Sequence, residues 1–418
     1  MRLFRSASLI GFFTILSRLA GLVREILQAH FIGQGMVMDA LNYAMTFPSF
    51  FRRLFAEGAF NASFVPIFAG TLAQDGKAQA RIFANQCLTL LLIPLVLITF
   101  TVELWAEPLF SKIFSGFSSD TERLSLTIYF MRITFPFLFF ISLTAFFSGV
   151  LNSFERFAAA ASSPLVGNIG IILLLVGFSL QGFSSDRVLS WAIFLCGFLQ
   201  LVWVWVPSHF KCLRIRLAWP TLSPSMRSFL RRLLPAALGS GIYQINLMVD
   251  MILSSYLQVG SYSSLKYAER FNQLPLSVIG TAISTALLPL LSRQIRQQKW
   301  SKVFTVQNRS LEFSLFLTVP AAVGLMCIAP LLIEVFYHHG KFTAEAVLPT
   351  AYTLVALASG LPAYVLIKIF STTFFAKLIN HLPSSKYKNK YIIGTGLNSL
   401  GDTINLIKIS KTMNFDTF

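Results

Sequence analysis

Four arginines stand where an apolar chain has little reason to keep them. Arg18 and Arg24 lie in the first apolar stretch, Arg52 in the second and Arg270 in the eighth. A charged side chain costs about 2.5–3.5 kcal/mol at mid-membrane on insertion scales, so such a residue faces a partner or a wet cavity. Arg52 has no evident acidic neighbour, and Arg18, Arg24 and Arg270 are grouped with it. Guanidinium forks match phosphate bidentately, which an ammonium does not. Gathered together, they describe a cationic hollow for an anionic, phosphorylated substrate. Arg270 also has a plainer reading, snorkelling to the headgroups.

Other polar residues surround them. Ser17 and Glu25 flank the arginines of the first stretch. Arg18 and Arg24 point about 120° apart on a regular helix, and a bend at Ala20–Gly21 would bring them together. In the second stretch Asp39, Arg53 and Glu57 return to nearly one stripe at about 3.6 residues per turn. Arg53 and Glu57 are spaced i,i+4 and read equally as a structural ion pair. Arg52 points away from that stripe, and Pro48 predicts a kink before it. The seventh stretch carries Gln244, Asn246 and Asp250, whose plainer reading is hydrogen bonding between helices. Glu269 precedes Arg270 in the eighth. Arg132 in the fourth has no assigned role.

Enzymatic chemistry finds no support. There is no nucleophile beside a base, no Asp-rich metal motif and no Gly-rich phosphate loop. Cys87, Cys196, Cys212 and Cys327 are scattered, and the pair His338–His339 fits no metal-ligand spacing. The expectation is a transporter with no catalytic residue, no metal and no cofactor.

The elements that position these residues follow from composition. Of 418 residues, 55% are hydrophobic and 12% charged, with mean hydropathy +0.67. A soluble domain carries about 25% charge, so this surface is not built for water. The 42 Phe argue against disorder, and long continuous apolar runs argue against a β-barrel. At about 20 residues per span, some ten helices are expected, near 8–31, 39–64, 83–111, 126–152, 162–182, 187–207, 232–257, 267–291, 310–336 and 346–376.

Net charge is +17, and its distribution sets orientation rather than nucleic-acid binding. Lys211, Arg214, Arg216, Arg227, Arg231 and Arg232 fill one loop, and Arg293, Arg296, Lys299, Lys302 and Arg309 another. Both fall on the side of the N-terminus, which the positive-inside rule places in the cytoplasm with the C-terminus. Such loops also suit anionic lipid headgroups. A weak internal repeat links 58–68 with 280–291: each is rich in small residues and ends in an apolar-Pro-apolar turn. Helices six apart in the same direction suggest parallel repeats.

At this level of detail the chain resembles the MurJ (MviN) lipid II flippase family. The resemblance rests on Ser17-Arg18-Leu19-Ala20-Gly21-Leu22-Val23-Arg24-Glu25, on Asp39-Ala40, and on Arg52-Arg53-Leu54-Phe55-Ala56-Glu57-Gly58-Ala59-Phe60 running to Pro66. Gln244-Ile245-Asn246, Asp250, Tyr267-Ala268-Glu269-Arg270, Leu288-Pro289, Leu151-Asn152 and Asn168 carry it further. It covers roughly 1–376. Ser49 and Lys266 depart from the family's pattern.

The resemblance implies an all-α polytopic membrane protein of the multidrug/oligosaccharidyl-lipid/polysaccharide exporter (MOP) superfamily, with two helical-bundle lobes around a central cavity. It implies flipping of lipid II, the peptidoglycan precursor, from the cytoplasmic to the periplasmic leaflet of the bacterial inner membrane. It implies that Arg18, Arg24, Arg52 and Arg270 hold the pyrophosphate. Ser17, Glu25, Asp39, Arg53, Glu57, Asn246, Asp250 and Glu269 then serve gating or lobe contacts. The partners expected are lipid II and membrane lipids, with a monomeric protein.

The expected organisation is a six-helix lobe at 1–208, a basic cytoplasmic linker at 209–231, an incomplete second lobe at 232–376 and a polar non-spanning tail at 377–418. A truncated or frameshifted product would look like this, which keeps an inactive remnant or scaffold as an alternative. Another exporter of the same superfamily is a third reading. A cation-coupled drug antiporter among these would need an anionic cavity.

Overall fold

In a membrane the backbone must satisfy its own hydrogen bonds, and long apolar runs do so as helices. The structure, a computed structural model, describes residues 2–53, 60–117 and 120–381, with side chains from residue 8 except at 234, 237–247, 278, 281–282, 284–285, 375 and 377–381. Every regular element among the described residues is helical. In chain order they are α1 (Arg2–Phe31), α2 (Met36–Phe51), α3 (Asn61–Gln74), α4 (Gly76–Leu104), α5 (Ala106–Ile113), α6 (Thr121–Thr134), α7 (Phe137–Ser153), α8 (Phe157–Leu180), α9 (Ser185–Lys211), α10 (Pro224–Ser254), α11 (Ser261–Pro275), α12 (Thr281–Arg296), α13 (Trp300–Tyr337), α14 (Ala344–Ser359) and α15 (Leu361–His381).

Local sequence sets several of these boundaries. The Asp120 carboxylate accepts a hydrogen bond from the Arg123 N–H at 3.0 Å and starts α6. Ser223 Oγ accepts from the Met226 N–H at 3.2 Å to start α10, whose first residue is Pro224. Arg52 and Arg53 continue α2 in π geometry, and the Arg52 N–H donates to the carbonyls of Pro48 and Ser49. A second π segment, Leu276–Gly280, joins α11 to α12 just after Pro275. The second π segment runs into 280–291, one of the two stretches that suggest an internal repeat.

Six stretches among the described residues are long and apolar enough to cross a membrane: Gly76–Leu104, Thr121–Ser153, Phe157–Leu180, Ser185–Lys211, Trp300–Tyr337 and Ala344–Phe374. The expected count of ten is therefore not reached by this measure. The other expected spans lie on α1, α2 with α3, α10, and α11 with α12. These elements hold the arginines, the acids and the Gln244–Asn246 pair, whose polarity dilutes their apolar character. Two of the four are also divided into shorter helices.

The helices form two compact units, one of Met1–Val259 and one beginning at Gly260. In the first, α8 packs on α1 and α9, α7 on α9, α2 on α6, and α10 on α3. Helix α10, expected in a second lobe, thus has neighbours in the first unit. Phenylalanine fills this interior in two groups. Phe47, Phe110, Phe114, Phe117 and Phe135 are buried around Tyr43. Phe60, Phe64, Phe83, Phe146 and Phe229 stack edge and face between α3, α4, α7 and α10.

In the second unit α11 packs on α14, α12 on α15, and α13 on both α14 and α15. Tyr267, Phe271, Tyr337 and Phe342 form one core. Leu287, Leu291, Ile295, Val303, Val365 and Ile369 form another. Outward faces stay apolar, as at Leu173 and Phe316, which are 66% and 73% exposed. Faces of that kind are stable against hydrocarbon rather than water. Residues 382–418, most of the expected tail, lie outside the described residues.

Candidate substrate site

Helix α1 is unbroken through Ala20–Gly21, so no change of element brings Arg18 and Arg24 together. The two differ in surroundings: Arg18 is exposed, whereas Arg24 is half-buried. Arg24 Nη1 donates to Asn168 Oδ1 on α8 at 3.0 Å. The same amide donates through Nδ2 to the Ser17 carbonyl at 3.0 Å and to Ser17 Oγ at 3.4 Å. One α8 side chain therefore grips α1 at two levels and aims its guanidinium. Arg24 is not without an acid, since its Nη2 lies 3.7 Å from Glu25 Oε1.

Small residues let α8 reach this position. A Cβ added at Gly170 would fall 2.6 Å from Cys196 Sγ of α9, and Gly167 meets Gln200 of α9 in the same way. The glycine face of α8 thus lies against α9 while Asn168 turns to α1. Trp203 Nε1 of α9 also donates to Ser162 Oγ of α8 at 2.9 Å. Close backbone approach through small residues is the usual basis of helix packing in membranes.

Asp39 finds a partner that its own helix does not supply. It is fully buried, and Arg123 Nη2 of α6 donates to its Oδ2 at 2.9 Å. Arg123 Nη1 donates to the Leu257 carbonyl at 3.1 Å. The guanidinium lies over Phe117 at 4.5 Å and Tyr43 at 5.6 Å from the ring centroids. Removing one partner of a buried pair like this costs about 3–5 kcal/mol, because the other charge stays buried. The stripe of Asp39, Arg53 and Glu57 assumes one regular helix. The change to π geometry at Arg52–Arg53 interrupts that register, and Glu57 lies outside the described residues. Arg52 is half-buried and Arg53 exposed.

In the second unit, Glu269 is held along its own helix. Lys266 Nζ lies 3.4 Å from Glu269 Oε2, and Gln273 Nε2 donates to Oε1 at 3.0 Å. The Lys266 ammonium also sits 5.2 Å from the Tyr262 ring centroid. Arg270 follows on the adjacent face of α11, half-buried. Asp250 is exposed on α10, while the side chain of Asn246 is outside the described set. Among the described residues no group of His, Cys, Asp or Glu has the arrangement to hold a metal ion. Spacing along single helices does not find Arg123. One signal was present: a cation in the first turn of α6 opposes the helix dipole and needs a compensating partner.

Comparison with known proteins agrees with this architecture. A family model described as "Lipid II flippase MurJ" matches residues 28–405, beyond residue 376 where the visible resemblance ends. A probable lipid II flippase MurJ of Rhizobium meliloti is 39% identical over 381 residues, covering 90% of this chain and 71% of the relative. The corresponding Rickettsia prowazekii protein is 34% identical over 400 residues, covering 96% and 78%. A solved structure of lipid II flippase MurJ in an inward closed conformation has a TM-score of 0.72 and 27% identity, covering 97% of this chain and 87% of that one. An inward-facing multidrug transporter of the MATE family and MOP superfamily shares the fold, with a TM-score of 0.63 at 15% identity. The helical units, the charged helices α1, α2 and α11, and these matches make the chain a multi-pass membrane protein of the lipid II flippase MurJ family, a family of transporters rather than enzymes.

Proposed function

We propose that this protein moves lipid II across the bacterial inner membrane, from the cytoplasmic to the periplasmic leaflet, using Arg18, Arg24, Arg52 and Arg270 to hold the diphosphate. Family membership supports the substrate. The observation that carries the site is the bond from Arg24 to Asn168, which fixes one guanidinium on a half-buried face of α1. A donor fixed in advance binds a diphosphate with less ordering cost than a free surface arginine.

The working cycle is alternating access. The two lobes admit the diphosphate-sugar head from the cytoplasm while the prenyl tail stays in lipid. The arginines replace water around the diphosphate. The lobes then rock to open the periplasmic side. Ser17, Glu25, Asp39, Arg53, Glu57, Asn246, Asp250 and Glu269 hold the moving parts in register. Both termini face the cytoplasm, as the basic loops require. Each charge carried through the field is worth about 2.3 kcal/mol per 100 mV, which resets the empty cationic cavity inward. The working unit is a monomer.

The test is transport of a labelled lipid II in vesicles holding the purified chain. Arg18→Ala, Arg24→Ala and Arg270→Ala should each lower the translocation rate by at least about tenfold, the loss of one charge-assisted bond. Export that continues undiminished in all three would end the assignment.

A further inference from the structure

The end of α10 is held to the first unit by a clasp of side chains, and Arg123 is its centre. Tyr43 of α2 and Ser254 of α10 share a hydroxyl hydrogen bond of 2.9 Å. Ser115 and Tyr256 share another of 2.7 Å. Gly116 lies so close to Ser255 that an added Cβ would stand 2.5 Å from its hydroxyl. Arg123 joins these contacts to Asp39 and the Leu257 carbonyl. That carbonyl belongs to the turn that ends α10, where the helix dipole is negative and a cation is favoured.

From this geometry we infer that Arg123 is a positioning residue for the transport cycle. It pairs with the buried Asp39 and locks the end of α10 shut on the periplasmic face. The inference rests on the proposed transport function and orientation. The chain leaves the first unit at Val259, two residues beyond Leu257, so this turn is the last point at which the first unit can hold it. Opening this face requires the end of α10 to leave its seat, and the bonds to Asp39 and Leu257 must break for it to do so. Only a planar fork can serve both acceptors while lying over Phe117. A lysine retains the charge and loses one of the two bonds. Asparagine at position 39 retains the shape and loses the charge.

The test uses the full chain in oriented vesicles, with Cys87, Cys196 and Cys327 replaced and Ser255→Cys added. Ser255 is buried in the clasp, while native Cys212 lies on the opposite face and reports general loosening. A membrane-impermeant maleimide is applied to each face in turn. Asp39→Asn and Arg123→Lys should each speed labelling at position 255 by about tenfold, as expected for losing a buried bond to a charged group. Labelling of Cys212 should stay within about twofold, since it touches none of these residues. Lipid II binding to the purified variants should persist while the translocation rate falls.

Unchanged labelling at position 255 would overturn the inference. So would equal acceleration at Cys212, which would mark a merely structural role. Should Asp39→Asn fail to insert, Asp39→Asn with Arg123→Gln removes both buried charges and is read against the same criteria. Labelling requires no lipid II, so an undisturbed export rate in the arginine variants ends the substrate assignment without deciding the clasp.

Discussion

Arg24 and Asn168 stand 144 residues apart in the chain and share a 3.0 Å hydrogen bond between α1 and α8. The amide that receives this bond spends its own N–H groups on Ser17, seven residues earlier on α1. Asn168 is therefore a splint: it sets both the azimuth of α1 and the direction of the guanidinium.

Replacing Asn168 by Ala should cost about 2–3 kcal/mol of stability, since it removes a bond to a charged group together with those to Ser17. Transport should suffer more than that, because Arg24 loses its fixed direction. A thermal melt in detergent with a vesicle assay on the same preparation separates the two. A melt that collapses in step with transport would mean that Asn168 only packs.

At Gly170 the prediction concerns packing alone. Gly170→Val forces Cys196 and α9 away from α8, and overpacking of this kind costs about 1–3 kcal/mol. The variant should melt several degrees lower and bind lipid II less well, since Asn168 rides on the displaced helix. Combining it with Cys196→Ala frees space at the contact and should recover part of the loss.

Lysine in place of Arg24 retains the positive charge and gives up the fork. Translocation by Arg24→Lys should fall between the native chain and Arg24→Ala, with binding still weakened by ionic strength in all charged forms. If Lys and Ala behave alike, geometry rather than charge governs this position. Full activity in the lysine form would contradict bidentate recognition.

Cys212 follows the end of α9, and burial pushes its thiol above the ordinary cysteine range, with Arg156 and Lys77 nearby acting in the opposite direction. The thiolate is the reactive form. Alkylation of Cys212 at neutral pH should thus run slower than that of free glutathione and rise with pH through the alkaline range. Arg156→Gln removes a favourable charge, so it should slow the reaction further. Measured rates that match glutathione at every pH would refute the burial effect.

Much of this architecture could be read from the chain. Apolar runs located the helices, and Arg18, Arg24, Arg52 and Arg270 stood out because hydrocarbon has no use for them. Partner assignment was poorer, and the cause is physical. Helical spacing relates residues three and four apart, whereas Asp39 takes its partner 84 positions away on α6. The stripe through Arg53 assumes regular spacing, and the π geometry at Arg52–Arg53 changes the angle on which it depends. Counting spans was hard where it mattered most. α1, α2, α10 and α11 must be polar enough to carry the charged residues and apolar enough to lie among the others.

Helix α13 has 38 residues, which at 1.5 Å per residue makes a rod about 57 Å long. A hydrocarbon layer about 30 Å thick covers little more than half of that. Several turns near Trp300 consequently stand in the aqueous phase, where Lys302 and Arg309 are at home. Such a rod acts as a lever: a tilt of about 5° around one end sweeps the opposite tip, with the core packed on it at Val303, through about 5 Å. A spin label or fluorophore on that tip would turn small rotations buried in the bilayer into distances that can be measured from outside it.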